Sequence, residues 1–152
     1  MRDEEEPVDP DVDLRVPGQR RELGARSRAV LAAIAAGGVL GAEARYGLAT
    51  LWPTGAGGFP VTTLLINVTG CLLIGVLMVL VTEARRGHPL TRPFLGVGML
   101  GGYTTFSGYA VDAQRLLAGG HVATALAALA VTPVLALLAV TVAAGATRRA
   151  IR

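Results

Sequence analysis

The stretch Gly98–Asp112 reads GMLGGYTTFSGYAVD, and its reading decides the fold. It lies inside a hydrophobic segment. Yet it carries Gly98, Gly101 and Gly102 ahead of an aromatic pair, Phe106 and Tyr109, together with a run of hydroxyls. A membrane helix with this content is either broken or packed tightly against protein. Lipid offers no partner to freed backbone groups, so irregular backbone at membrane depth has to face protein or water. The stretch is read as a break in a spanning helix that builds an ion site and lines a narrow path.

Composition places the break in a membrane. Of 152 residues, 52% are hydrophobic and 16% charged, and the mean hydropathy is +0.53. This is a membrane balance, not that of a soluble domain. The length allows about four spans at roughly 20 apolar residues each. So little protein encloses no large core, which implies pairing with other subunits. All 14 basic residues are Arg. They flank the apolar segments, so membrane orientation explains the net charge of +3 better than nucleic-acid binding does. The single cysteine, Cys71, forms no intramolecular disulfide and reads as a small buried apolar side chain. His88 and His121 are far apart and adjoin loops, so neither is taken as a ligand.

Outward from the break, the chain divides into a charged tail over 1–28, four spans within 29–147, and a basic tail over 148–152. The first tail is acidic, then arginine-rich, with three prolines; it reads as disordered and not as a signal peptide. The spans are placed at about 29–51, 60–82, 93–118 and 121–145, the third containing the break. Glu43 and Arg45 fall in the first, where a charge at the helix centre would cost about 2.5–3.5 kcal/mol. Gly37, Gly38 and Gly41 allow a second helix to approach closely. Thr63, Asn67 and Gly70 share one face of the second span. Counted from Arg15, the amino-terminal tail, the 83–92 loop and the carboxy-terminal tail hold five, three and three arginines on one side of the membrane. That bias places both termini in the cytoplasm of a multi-pass protein of the cell membrane.

Three constellations carry chemistry. At Gly101-Gly102-Tyr103-Thr104, an interrupted helix exposes carbonyls that suit a cation such as Na⁺; the alternative is a packing notch. Phe106 and Tyr109, three apart on one face, offer positive ring edges to an anion, or simply pack. Asn67, Thr104, Thr105, Ser107 and Thr132 are neutral donors that could replace water around a small, strongly hydrated anion, or bond helix to helix. There is no phosphate-binding loop, and no nucleophile or acid/base constellation points to an enzyme.

The pattern GGYTTFSGY resembles the signature of the Fluc (CrcB) fluoride channels. Two further parts agree, in order and spacing. Gly37-Gly38 through Arg45-Tyr46 looks like that family's first-helix motif, and Thr63 through Gly70 and Gly75 looks like its second. The resemblance implies an all-α membrane protein with four transmembrane helices, the third broken, forming an antiparallel dimer. It also implies a structural, untransported Na⁺ at the dimer centre, held by the backbone carbonyls of Gly101 and Thr104. Phe106, Tyr109, Asn67, Ser107 and Thr132 match the fluoride path, and Arg45, Thr63, Thr105 and Asp112 match its supports. This sequence departs from the pattern at Tyr109, usually Phe, and at Asp112, usually Glu. It departs also at Thr62, often Gly, and at Ala128, often Tyr.

The implied function is passive, fluoride-specific efflux that lowers fluoride toxicity. The rival is a proton-coupled exporter like the small multidrug resistance transporters, with Glu43 as coupling carboxylate. The partners expected are fluoride, the bilayer and a second subunit. An antiparallel homodimer needs weak charge bias, whereas this chain is strongly biased. The expectation is an oppositely oriented paralogous subunit rather than a second copy.

Overall fold

The structure, a computed structural model, describes residues 25–83 and 88–152. The amino-terminal tail as far as residue 24 lies outside the described residues, as do Arg85 and Arg86 of the arginine-rich loop. Among the described residues every regular element is helical. Helix α1 covers Ala25–Leu51, α2 Val61–Thr82, α3 Phe106–Ala118 and α4 Val122–Ala150. Ahead of α3 stand a π-helical segment, Arg92–Leu100, and a single α turn, Gly101–Tyr103.

Three helices are long and apolar enough to cross a membrane by length and composition: 27–51, 61–82 and 122–150. The segment expected as a third span at 93–118 is two pieces, neither of which is that long. Helix also runs past the apolar limits at both ends of the chain. Ala25–Arg28 belong to α1 and Arg148–Ala150 to α4, so these residues are helical and not tail. Alanine and arginine are good helix formers, and each added residue closes another backbone bond.

Small residues set the packing. Gly37 and Gly41 of α1 and Gly98 of the π segment are buried. Each faces backbone across the seam. A Cβ on Gly37 would lie 2.8 Å from the Met99 amide, and one on Gly98 would lie 2.5 Å from the Ile34 carbonyl. Gly37 and Gly41, and Gly98 and Gly102, are each four apart, so two small-xxx-small pairs face each other. On the other side α2 lies against α4, where a Cβ on Gly75 would come within 2.7 Å of the Val140 carbonyl. Ile66 and Val79 of α2 and Ala125 and Ala128 of α4 are at most 2% exposed. The Arg148–Glu83 pair at 2.7 Å ties the ends of these two helices. Both partners are well exposed, so it contributes about 0–1 kcal/mol.

The outside remains apolar. Leu31, Val39, Leu73, Val97, Leu137 and Val142 are all more than half exposed. Such a surface demands lipid or a partner subunit.

Candidate ion site at the broken helix

The break falls at Thr104 and Thr105, which are extended (φ −73°, ψ 157° and φ −147°, ψ 126°). Sequence reading set it over Gly101–Thr104, which overlaps it at Thr104 and begins three residues earlier. Gly101 and Gly102 are helical. Gly102 serves the seam instead, since a Cβ there would lie 3.2 Å from the Ala42 amide.

Side chains from distant elements fix the extended pair. Asn67 of α2 grips Thr105 at both backbone atoms: the Thr105 amide donates to Oδ1 at 2.8 Å, and Nδ2 donates to the Thr105 carbonyl at 3.0 Å. Thr105 then caps α3, its Oγ1 accepting from the Gly108 amide at 2.9 Å. Thr104 Oγ1 donates back to the Leu100 carbonyl at 2.9 Å. Tyr103, one residue earlier, shares a 3.0 Å hydrogen bond between its hydroxyl and that of Thr69. Gly70 is the space that admits this corner, because a Cβ there would collide with the Thr104 methyl.

These bonds free two carbonyls. In an unbroken helix Gly101 would accept from the Thr105 amide and Thr104 from the Gly108 amide. Both amides are diverted, one to Asn67 and one to the Thr105 hydroxyl. The Gly102 carbonyl between them accepts from Arg45 Nε at 3.1 Å. That guanidinium stands at the negative end of the half-helix, where a cation is favoured. The Gly101 and Thr104 oxygens are neutral, hard donors that fit a hard cation. Two such oxygens are too few by themselves to replace a hydration shell. Among the described residues no group of three or more His, Cys, Asp or Glu could hold a metal instead.

Beside the break runs a groove of about 420 Å³ lined by Asn67, Cys71, Thr104, Thr105, Phe106, Tyr109, Thr132, Pro133, Ala136 and Leu137. None of its lining side chains is charged. The Phe106 and Tyr109 rings stand 5.6 Å apart and tilted by 52°. Phe106 is 81% exposed, so one wall of the groove is open in the single chain. Thr132 is 4% exposed, and its hydroxyl makes no hydrogen bond to another described residue. No buried side-chain oxygen or nitrogen among the described residues lacks a partner, so the Thr132 hydroxyl keeps some exposure beside the groove it lines, where a ligand can meet it.

Other expected residues lie elsewhere. Ser107 is exposed, outside the groove, with its hydroxyl 3.4 Å from that of Thr105. Thr63 donates to Asp112 Oδ2 at 2.6 Å. Both line a separate cavity of about 510 Å³ under the 52–58 loop, together with Arg115 and His121. Gly101 faces open space. Glu43 is exposed and lines neither cavity. Conversely, Cys71, read as a buried apolar filler, is half-buried and lines the groove. Its spacing of four from Asn67 carried that signal, because it puts both on one helix face.

The chain is similar to known proteins over most of its length. Residues 32–145 match the family described as CrcB-like protein, Camphor Resistance (CrcB). The "Fluoride-specific ion channel FluC 2" of Streptomyces avermitilis is 52% identical over 124 residues, 82% of this chain and 78% of that protein. The "Fluoride-specific ion channel FluC 1" of Streptomyces coelicolor is 55% identical over 123 residues, 81% of this chain and 80% of that protein. Streptomyces avermitilis also has a "Fluoride-specific ion channel FluC 3", 51% identical over 98 residues, 64% of this chain and 48% of that protein. By the extent of the match and the identity shared along it, this chain belongs to the CrcB family.

Proposed function

We propose that the chain is a subunit of a fluoride channel that carries the anion passively out of the cytoplasm. The observation that carries this reading is the uncharged groove, where Phe106, Tyr109, Thr132 and Asn67 converge at a helix break. Fluoride is small and strongly hydrated. To enter, it must exchange water for donors of similar strength and meet no fixed charge that would trap it. Thr132 offers a free hydroxyl, and one Nδ2 proton of Asn67 is not used on Thr105. The rings of Phe106 and Tyr109 offer positive edges. The amino-terminal end of α3 adds its partial positive charge to the same place.

Efflux needs no energy source. The protonated acid crosses lipid, dissociates in a less acidic cytoplasm and leaves the anion trapped. An interior-negative potential then drives each charge outward by about 2.3 kcal/mol per 100 mV. A sodium ion held by the Gly101 and Thr104 carbonyls would supply charge compensation at the centre of the assembly. Arg45 would keep the Gly102 carbonyl out of that shell by occupying it.

The assembly proposed is an antiparallel dimer, whose second subunit closes the wall on which Phe106 is open. Strong arginine bias fixes this chain's orientation with both termini in the cytoplasm. Its partner is then an oppositely oriented paralogue. The two channels named in Streptomyces avermitilis are consistent with paired genes of this kind.

Efflux from liposomes, compared for fluoride, chloride and a cationic dye, tests the function. Fluoride alone should leave. Dye movement coupled to a proton gradient would favour the exporter reading. Phe106→Ile should lower fluoride flux by about tenfold, equivalent to 1.4 kcal/mol of barrier, while assembly is retained. Unchanged flux would remove the ring edge from the path. A reporter fused to the carboxy terminus should read cytoplasmic only, and an even split between faces would return the homodimer.

A further inference from the structure

Pro133 stands inside α4 and has no backbone N–H. In a regular helix the carbonyl of Leu129, four residues earlier, would accept from position 133. That donor is missing. A carbonyl released inside a membrane helix has no water to turn to and needs another partner. The partner present is the Tyr109 hydroxyl, which donates to the Leu129 oxygen at 2.7 Å. It comes from the opposite wall, for Tyr109 belongs to α3. Both Tyr109 and Pro133 line the groove.

We propose that Tyr109 is a positioning residue, whose hydroxyl latches α3 to α4 through the one carbonyl that Pro133 leaves open. The proposal rests on the channel reading above and names what fixes the groove's width. The phenol is tethered at its far end, so the ring cannot swing about χ1 without breaking a part-buried bond. Phe106, 5.6 Å away, packs against a fixed ring rather than a mobile one. Phenylalanine at 109 would keep the ring but lose the tether and orphan the carbonyl. The hydroxyl and the proline therefore act as one unit: the first is needed because the second is there.

A double-mutant cycle tests this in the full-length protein co-reconstituted in liposomes with its oppositely oriented paralogue. Fluoride flux and the thermal midpoint of the assembled dimer are read for the parent, Tyr109→Phe, Pro133→Ala and the pair. Bonds of this kind in membrane helices are individually modest, so Tyr109→Phe should lower flux about fivefold in the Pro133 background. In the Pro133→Ala background the restored N–H serves Leu129, and the same change should cost less than about twofold. The midpoint should show the same coupling. Equal losses in both backgrounds, or no loss in either, would overturn the latch. Should Tyr109→Phe fail to assemble, recovery of assembly by Pro133→Ala supports the latch, and failure in both backgrounds overturns it. A parent that moves no fluoride overturns the channel reading, and the midpoint cycle then decides the latch alone.

Discussion

Replacing Asn67 with Asp is expected to lower fluoride flux by at least about a hundredfold, equivalent to roughly 2.7 kcal/mol of barrier. Asn67 holds Thr105 with a donor and an acceptor at once, at 3.0 and 2.8 Å. An ionised carboxylate keeps the acceptor and turns the donor into a second acceptor. It would face the Thr105 carbonyl at hydrogen-bond distance with no proton between them. Losing this donor to the part-buried Thr105 carbonyl costs about 0.5–1.5 kcal/mol, and a charge at membrane depth adds about 2.5–3.5 kcal/mol. The corner at Thr104–Thr105 would move, and with it the Thr104 carbonyl and the rings that follow. A negative charge would also stand in an anion's path. Initial fluoride efflux, measured on variant protein with the parent's elution and helicity, checks the result. Parent-like flux would mean that neither the clamp nor the neutral donor at position 67 matters.

How much of this was legible in the sequence follows from where each determinant lies. Hydropathy marks the long helices because lipid imposes one requirement over a whole span. An interrupted third segment was also legible, and the stretch read as its break, Gly101–Thr104, takes in Thr104 but stops one residue short of Thr105. In a soluble chain glycines such as Gly101 and Gly102 weaken a helix; here Gly102 lets the half-helix lie against Gly38 and Ala42 of α1, while Gly101 faces open space. The better marker was Thr105 itself, a hydroxyl three residues before the Gly108 amide that it caps. The partner that holds it open, Asn67, is 38 residues away, and no local pattern announces such a bond. The same limit applies to Tyr109. That Pro133 orphans the Leu129 carbonyl can be read from the sequence, but not that a phenol from another helix reaches it. The π-helical turn at Arg92–Leu100 had no sequence expectation. Wide turns of this kind persist where packing supports them, and the glycine seam with α1 supplies that support.

That seam is where the largest effect on assembly should appear. Gly41→Leu is expected to reduce the yield of folded, monodisperse protein by at least about tenfold, an overpacking cost at the upper part of the usual 1–3 kcal/mol. At this position even a Cβ would collide with the Met99 carbonyl and lie 2.7 Å from the Tyr103 amide. Both are backbone, so no rotamer change relieves the clash; α1 and the half-helix must separate. Separation also breaks the 3.1 Å bond from Arg45 to Gly102, which belongs to the same pair of elements. The Gly101 carbonyl, one residue away, would lose its fixed direction. Gly47→Leu is the matched control, on the same helix with nothing within 4 Å of its Cβ position. It should assemble as the parent does. Size-exclusion profiles of the two variants at equal expression separate them. If Gly41→Leu elutes and conducts like the parent, the close approach of these two helices does not hold the break in place, and the freed carbonyls owe their position to Asn67 alone.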